Sequence, residues 1–98
     1  MLHHITLFRW KPQTTPEQAE AALRDMRRSL EGVIPGLRAI SVKPNLAEKS
    51  AGYSHCVIQQ FDDVEARDAR FGHPANDAVA ERVMPLVEHV LTLDMTTR

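Results

Sequence analysis

Two histidines, His4 and His55, lie within apolar stretches that alternate with the two-residue period of a β-strand. This period places His4 on the same strand face as Thr6 and Phe8, and His55 on the same face as Val57. An imidazole facing an apolar pocket can act as a general base, donate a hydrogen bond to a carbonyl oxygen or bind a metal ion. It can equally be a core histidine bonded to the backbone. We therefore take His4 and His55 as the candidate catalytic residues, with a structural role as the alternative.

Arg70 and Asn76 lie on either side of a histidine-proline step, His73-Pro74, that begins a predicted helix. A guanidinium and a side-chain amide both bind oxygen acceptors, so these residues favour a ligand with a carbonyl or carboxylate group. Asn76 can alternatively cap the first turn of the helix. An earlier helix, with Met26 in its apolar stripe, is expected to cover the same pocket. The predicted ligand-binding residues are Thr6, Phe8, Met26, Val57, Arg70 and Asn76.

The sequence contains no common motif for a metal, a nucleotide or a nucleophilic serine. The spacings HxH, HExxH and CxxC are absent, and so are GxxxxGK, GxGxxG and GxSxG. The single cysteine, Cys56, falls on the strand face opposite His55, which argues against a catalytic cysteine-histidine pair. We therefore expect neither a metal ion nor an organic cofactor.

The composition excludes several classes of protein. The chain has 98 residues and a formal net charge of -1 with acids and bases interspersed, which suits a single domain over residues 1–98 and argues against nucleic acid binding. Its apolar runs are too short for a membrane span, and the amino terminus lacks a signal-peptide pattern. A lone cysteine agrees with a reducing compartment. We expect no membrane association and a cytoplasmic location.

The hydrophobic pattern predicts an α+β domain with the order β-α-β-β-α-β, the arrangement called ferredoxin-like. Both helical regions should cover one face of a four-stranded antiparallel sheet. Within the second region, Gly72 and Pro74 predict a break. The predicted strands are 2–10, 37–43, 53–61 and 89–96, and the predicted helices are 16–31, 64–71 and 74–84.

Both faces of the predicted sheet carry apolar residues. In the first strand, Ile5 and Leu7 point away from Phe8 and Trp10. An antiparallel sheet with one face in water normally alternates more cleanly between apolar and polar residues. We therefore expect the second face to be buried against an identical subunit, so that a homodimer forms through the sheet and closes a β-barrel. A monomer with a moderately apolar exposed face is the alternative.

Four segments along the chain together resemble one known family. They are HHITLFRWKP, IPGLRAISVKPNL, GYSHCVIQQFDD, and HPAN with the later RVMPLVEHVLTLDM. In this order and spacing they are similar to the stress-responsive A/B barrel (Dabb) family, part of the dimeric α/β-barrel superfamily. The resemblance covers essentially the whole chain. It implies a ferredoxin-like domain that dimerises through its sheet.

The family is functionally mixed, so the resemblance implies less about activity. One member, olivetolic acid cyclase, closes a linear polyketide by aldol condensation without a metal or an organic cofactor, and this chain is distantly similar to it. Arg70 and Asn76 stand where that enzyme has a tyrosine and a histidine. Arginine does not release a proton and asparagine is not a base near neutral pH, so the cyclase mechanism does not carry over.

These observations lead to two hypotheses. The first is a homodimeric, cofactor-independent lyase, cyclase or isomerase that acts on a carbonyl- or carboxylate-bearing organic compound, with His4 or His55 as the base. The second is a non-catalytic, stress-related binding or structural protein. A solvent-connected cavity with either histidine in its wall favours chemistry, whereas a closed, dry interior favours assembly.

Overall fold

The computed structural model describes residues 1–96, and its elements follow the predicted order. A short 3₁₀ turn, Met84–Leu86, precedes the last strand. The last strand begins two residues earlier than predicted and the third begins two residues later, as is common for element ends. The strands are β1 (Leu2–Trp10), β2 (Leu37–Pro44), β3 (His55–Phe61) and β4 (Val87–Thr96), and the helices are α1 (Pro16–Leu30), α2 (Val64–Arg70) and α3 (Pro74–Val83).

The four strands form one antiparallel sheet in the order β2-β3-β1-β4. The first strand is therefore central, and the last strand pairs with it at one edge. Ile5 of β1 lies opposite Ile58 of β3 and Leu93 of β4, and His4 lies opposite Asp94. This order and the position of the helices confirm the predicted ferredoxin-like α+β fold.

The first helix begins and ends at the signals that the sequence contains. Thr15 accepts a hydrogen bond from the Gln18 backbone N–H, and the Gln18 side chain accepts one from the Thr15 N–H, which forms a capping box around Pro16. Gly32, with φ of 75°, follows the carboxyl end in the left-handed conformation that glycine adopts most readily. The helix buries three apolar side chains, Ala19, Leu23 and Leu30.

The second helical region is divided into α2 and α3, as Gly72 and Pro74 predicted. Asp63 caps α2 by accepting a hydrogen bond from the Ala66 N–H. His73 caps α3, because its Nδ1 accepts from the Ala75 N–H at 3.1 Å. The break places the last residue of α2 and the first turn of α3 side by side above the sheet.

The core lies between the sheet and the helices. Phe61, Leu23, Leu30, Val57, Val79 and Val83 are its largest fully buried side chains. The other face of the sheet is covered by no helix, and three apolar side chains of β4 are about half exposed there: Leu91 (49%), Leu93 (52%) and Met95 (43%). Among residues 1–96, no helix has both the length and the apolar character needed to cross a membrane.

Candidate active site

A cavity of about 530 Å³ opens between the helical layer and the inner face of the sheet. Its size is within the range of sites for small organic molecules. Strands supply its floor and helices its upper wall, because inward-facing positions of β1 and β3 meet the buried faces of α1 and α3. Its wall contains all the predicted site residues except His55, namely His4, Thr6, Phe8, Met26, Val57, Arg70 and Asn76.

His4 is the one imidazole in the described wall of this cavity. Its ring is only 5% exposed, and its Nδ1 lies 2.6 Å from Oδ1 of Asp94 on β4. An ionised carboxylate can only accept, so Nδ1 carries the proton and Nε2 carries the lone pair. Burial lowers the His4 pKa below its usual value, and the bond to Asp94 partly opposes this shift. The neutral ring at pH 7 is therefore a base that Asp94 holds in one tautomer.

Asp94 is itself held by an ion pair. Nη1 of Arg67 donates to Oδ2 of Asp94 at 2.9 Å, while Nη2 of Arg67 donates to Asp68 at 2.8 Å. Hydrogen bonding to Asp68, with a further contribution from Asp94, raises the Arg67 pKa, although burial opposes this. The two oxygens of Asp94 thus serve different partners, one a cation and one the ring of His4. This arrangement fixes the carboxylate toward the histidine.

Arg70 lies almost fully inside the protein, with 8% of its surface exposed. Its Nη1 donates to Oε1 of Gln59, a neutral side chain that is 3% exposed. The guanidinium carbon lies 4.5 Å from the ring centroid of Phe71 and 5.8 Å from that of Phe61, so aromatic faces enclose it. Burial lowers the Arg70 pKa below its usual value, but an arginine remains charged at neutral pH.

His55 does not share the cavity with His4, so the prediction that both rings point into one space is wrong. His55 does face the helices, but its Nδ1 accepts a hydrogen bond from Nε1 of Trp10 at 3.1 Å, and its ring packs edge-on against that indole. It borders a second cavity of about 260 Å³ between α1 and the end of β2. Strand periodicity gives the face on which a residue lies. It does not give the register between strands, which decides which inward-facing residues of two strands lie close together.

The remaining lining is mostly apolar. Phe8, Val57 and Val79 are buried parts of the wall, and Phe71 and Met84 are partly exposed where the cavity opens. Asn76 lines the same space from the first turn of α3. A base, a buried cation and an amide thus converge on an apolar chamber. Such a chamber can bind an organic molecule and move a proton within it.

The other candidate chemistries have no comparable support in residues 1–96. Within that range no three histidine, cysteine, aspartate or glutamate side chains cluster closely enough to hold a metal ion. Cys56 lies on the uncovered face of the sheet, opposite Leu7, and burial raises the pKa of its thiol. A thiol with a raised pKa is a poor nucleophile at neutral pH.

Comparison with known proteins identifies the family. The model of the stress-responsive A/B barrel domain matches residues 2–97. The chain belongs to this family. This match confirms the resemblance carried by the four sequence segments. No curated protein has a significantly similar sequence.

Solved structures of this A/B barrel fold come from plants and bacteria. The protein At3g17210 from Arabidopsis thaliana is 21% identical with a TM-score of 0.88, covering 100% of this chain and 96% of its own. A hydroxynitrile lyase from Passiflora edulis is 20% identical with a TM-score of 0.84, covering 99% and 93%. A dimeric ferredoxin-like protein from Thermobifida fusca is 23% identical with a TM-score of 0.82, covering 98% and 90%. The TM-scores establish the shared fold, and at these identities the comparison shows the fold alone.

Proposed function

We propose that this A/B barrel protein is a cofactor-independent enzyme of the lyase, cyclase or isomerase kind. Its substrate is an organic compound that carries a carbonyl or carboxylate group and occupies the 530 Å³ cavity. The observation that carries the proposal is the hydrogen bond between His4 and Asp94 in the wall of that cavity. A neutral imidazole held in one tautomer beside an open apolar chamber is the arrangement that general-base catalysis requires.

In the proposed reaction, Nε2 of His4 removes a proton from the carbon next to the substrate carbonyl. The electron pair of that C–H bond moves onto the carbonyl oxygen and produces an enolate. Asp94 stabilises the imidazolium that forms, because its negatively charged carboxylate accepts a hydrogen bond from Nδ1–H. The amide of Asn76 and the cation of Arg70 provide donors for the substrate oxygens. The proton then returns to the product from Nε2.

Two features of this protein and one relative support an enzymatic rather than a purely structural role. The cavity opens to solvent, and its mostly apolar wall contains His4, Arg70 and Asn76. The Passiflora edulis relative is a hydroxynitrile lyase, so this fold can carry a lyase site. The alternative of a non-catalytic binding protein uses the same cavity, and it differs in predicting ligand binding without proton removal.

We also propose that the protein forms a homodimer through the uncovered face of its sheet. Ile5, Leu7 and Ile58 form the centre of that face, and the half-exposed apolar residues of β4 extend it to the edge. Exposed apolar patches of this kind mark interaction surfaces. The Thermobifida fusca protein of the same fold is dimeric. The active-site cavity lies on the opposite side of the sheet, so each subunit has its own.

The test of the catalytic proposal is deuterium exchange at the carbon next to a carbonyl. The protein is incubated in D₂O with acetophenone, 3-oxo-3-phenylpropanoate or cyclohexanone, and loss of the α-proton signal is followed by proton NMR. We expect faster exchange with at least one compound, and a loss of about 10²-fold or more in His4→Ala. His55→Ala is the matched control, since that ring lies outside the cavity.

Two outcomes contradict the catalytic proposal. One is exchange that is equally fast in wild-type protein and His4→Ala, because a positioned base must matter for proton removal. The other is binding of these compounds, observed by chemical-shift changes of cavity residues, without any exchange above the rate in buffer. The second result favours the non-catalytic alternative.

A further inference from the structure

The Arg70 guanidinium is a buried positive charge that makes no ion pair with any described carboxylate. Its recorded hydrogen-bond partner is the neutral amide of Gln59. Its Nε is, within residues 1–96, the one fully buried side-chain nitrogen or oxygen that lacks a hydrogen-bond partner. Asp94 contributes a favourable longer-range attraction, but its oxygens are bonded to His4 and Arg67.

Such a group is costly unless something else compensates it. A buried charge without a paired opposite charge destabilises a fold, and a buried donor without an acceptor adds a further penalty. An unsatisfied polar group in a native protein therefore calls for an explanation, and a bound ion or ligand is one of the common ones. Arg70 meets this description inside the wall of the cavity, at the end that also contains His4.

The position of Phe71 explains how Arg70 can be both buried and available. Its ring lies over the guanidinium at 4.5 Å and yet is itself 58% exposed. Because little apolar area is lost when an exposed ring rotates, Phe71 can move off the guanidinium at small cost and open this side of Arg70 to the cavity. Gly72 follows it, and a side chain added there meets nothing within 4 Å, so there is open space beside this segment.

We propose that Arg70 is the carboxylate-binding residue of the cavity, and that the compound bound there is an organic carboxylate with an apolar body. This inference deepens the proposed function by naming the charged group of its substrate. With Nη1 bonded to Gln59, the Nε and Nη2 edge of the guanidinium remains for a bidentate pair with a carboxylate. The apolar body lies against Phe8, Val57 and Met26.

The test compares carboxylic acids with neutral compounds of the same shape. The probes are phenylacetate, 3-phenylpropanoate and hexanoate, each beside its primary amide, titrated into ¹⁵N-labelled protein at pH 7. Arginine Nε–H resonances are observed together with the backbone amides of the cavity. We expect at least one acid to bind about tenfold or more tightly than its amide, and the Arg70 Nε–H resonance to move downfield only with the acid.

Variants assign the preference to Arg70. Arg70→Met removes the charge with a side chain of similar length, and we expect it to abolish the difference between acid and amide. Arg70→Lys retains the charge without the planar fork and should retain only part of the preference. Arg28→Met is the matched control, because Arg28 is an exposed arginine on α1 outside the cavity wall. Circular dichroism establishes that each variant is folded.

Three results overturn the inference: equal binding of acids and amides, an acid preference that persists in Arg70→Met, or no acid binding below about 1 mM. The first of these, accompanied by exchange of neutral ketones that depends on His4, removes the inference and leaves the proposed function intact. Conversely, acid binding that depends on Arg70, with no exchange of any ketone, removes the catalytic proposal and supports this inference. If the His4→Ala variant keeps the preference for acids over amides, carboxylate binding by Arg70 is independent of proton removal by His4.

Discussion

His4 of the central strand and Asp94 of the edge strand lie directly opposite each other, with Nδ1 and Oδ1 2.6 Å apart. The pairing register of the two strands therefore sets the contact, and no loop is needed to bring the residues together. Groups held on paired strands are positioned more rigidly than groups on loops. A general base needs this rigidity, because its lone pair must point at the substrate proton that it removes.

Asp94→Asn is expected to lower the His4 pKa further, because the hydrogen bond and the charge of Asp94 both raise it against the effect of burial. The amide can offer either its oxygen or its NH₂ group to Nδ1, so it no longer restricts the ring to one tautomer, and both tautomers become populated. Titration of the His4 ring by NMR, with ring ¹⁵N shifts for the tautomer, measures both effects. Asp62→Asn, which alters a distant carboxylate bound by Arg38, is the matched control. An unchanged His4 titration in Asp94→Asn would contradict the assigned contact.

Protein stability is expected to decrease on acidification below about pH 6.5, the usual pKa of histidine. Burial lowers the His4 pKa in the folded state, so the unfolded chain binds the proton more readily in the window between the folded pKa and 6.5. The free energy of unfolding therefore rises with pH across this window, with a slope of up to about 1.4 kcal/mol per pH unit for one proton.

Urea unfolding at a series of pH values and one fixed protein concentration measures this slope. His4→Gln, which keeps a side-chain donor for Asp94 but does not titrate, should lose that slope between the folded His4 pKa and 6.5. A slope that is identical in both proteins would assign the pH dependence to other groups.

Ile58→Asp is expected to convert the proposed dimer into monomers or to prevent folding. Ile58 lies opposite Ile5 at the middle of the uncovered sheet face, where a carboxylate in the interface would lose its hydration without a partner. Sedimentation at micromolar concentration should give a dimer for the wild type, whose interface we expect to bury more than roughly 1,200 Å². Ala21→Asp, on the exposed side of α1, should remain dimeric. A dimeric Ile58→Asp variant would mean that another surface forms the contact.

The double variant Arg70→Met, Gln59→Leu is expected to be more stable than the wild type by about 1 kcal/mol or more. Replacing a buried polar pair by apolar side chains of similar size is often stabilising, because the desolvation cost disappears. Thermal unfolding of the double variant and of both single variants measures this difference. A destabilised double variant would mean that the Arg70–Gln59 pair contributes net stability, which would contradict the uncompensated burial from which the ligand-binding role of Arg70 is inferred.

The sequence predicted the face of each site residue better than its distance from the others. Periodicity correctly placed His4, Thr6 and Phe8 beneath the helices, because alternation along a strand is a local property. The same rule did not exclude His55, which faces the helices but lies nearer the Trp10 end of β1. The local pattern carries no information about the register between strands, so it cannot tell how far apart two inward-facing residues of different strands lie.

Asp94, Arg67 and Gln59 were missed as parts of the site for a related reason. Each contributes through a long-range contact, with Asp94 ninety positions from His4. A signal for Asp94 was present, since aligning the antiparallel first and last strands of a ferredoxin-like sheet end to end brings it opposite His4. The partners of Arg67 and Arg70 depend instead on how α2 lies across the sheet. Packing of that kind is not encoded in any short motif.

The single tryptophan of this chain lies where it can report on the cavity by its fluorescence. The indole of Trp10 stacks on Phe8 with ring centroids 5.3 Å apart, and Phe8 is part of the cavity wall. Its Nε1–H donates to Nδ1 of His55, and this bond holds the indole in place beside Phe8. The unmodified protein thus contains an optical probe that requires no dye. Emission measured during a ligand titration reads the Phe8 side of the cavity.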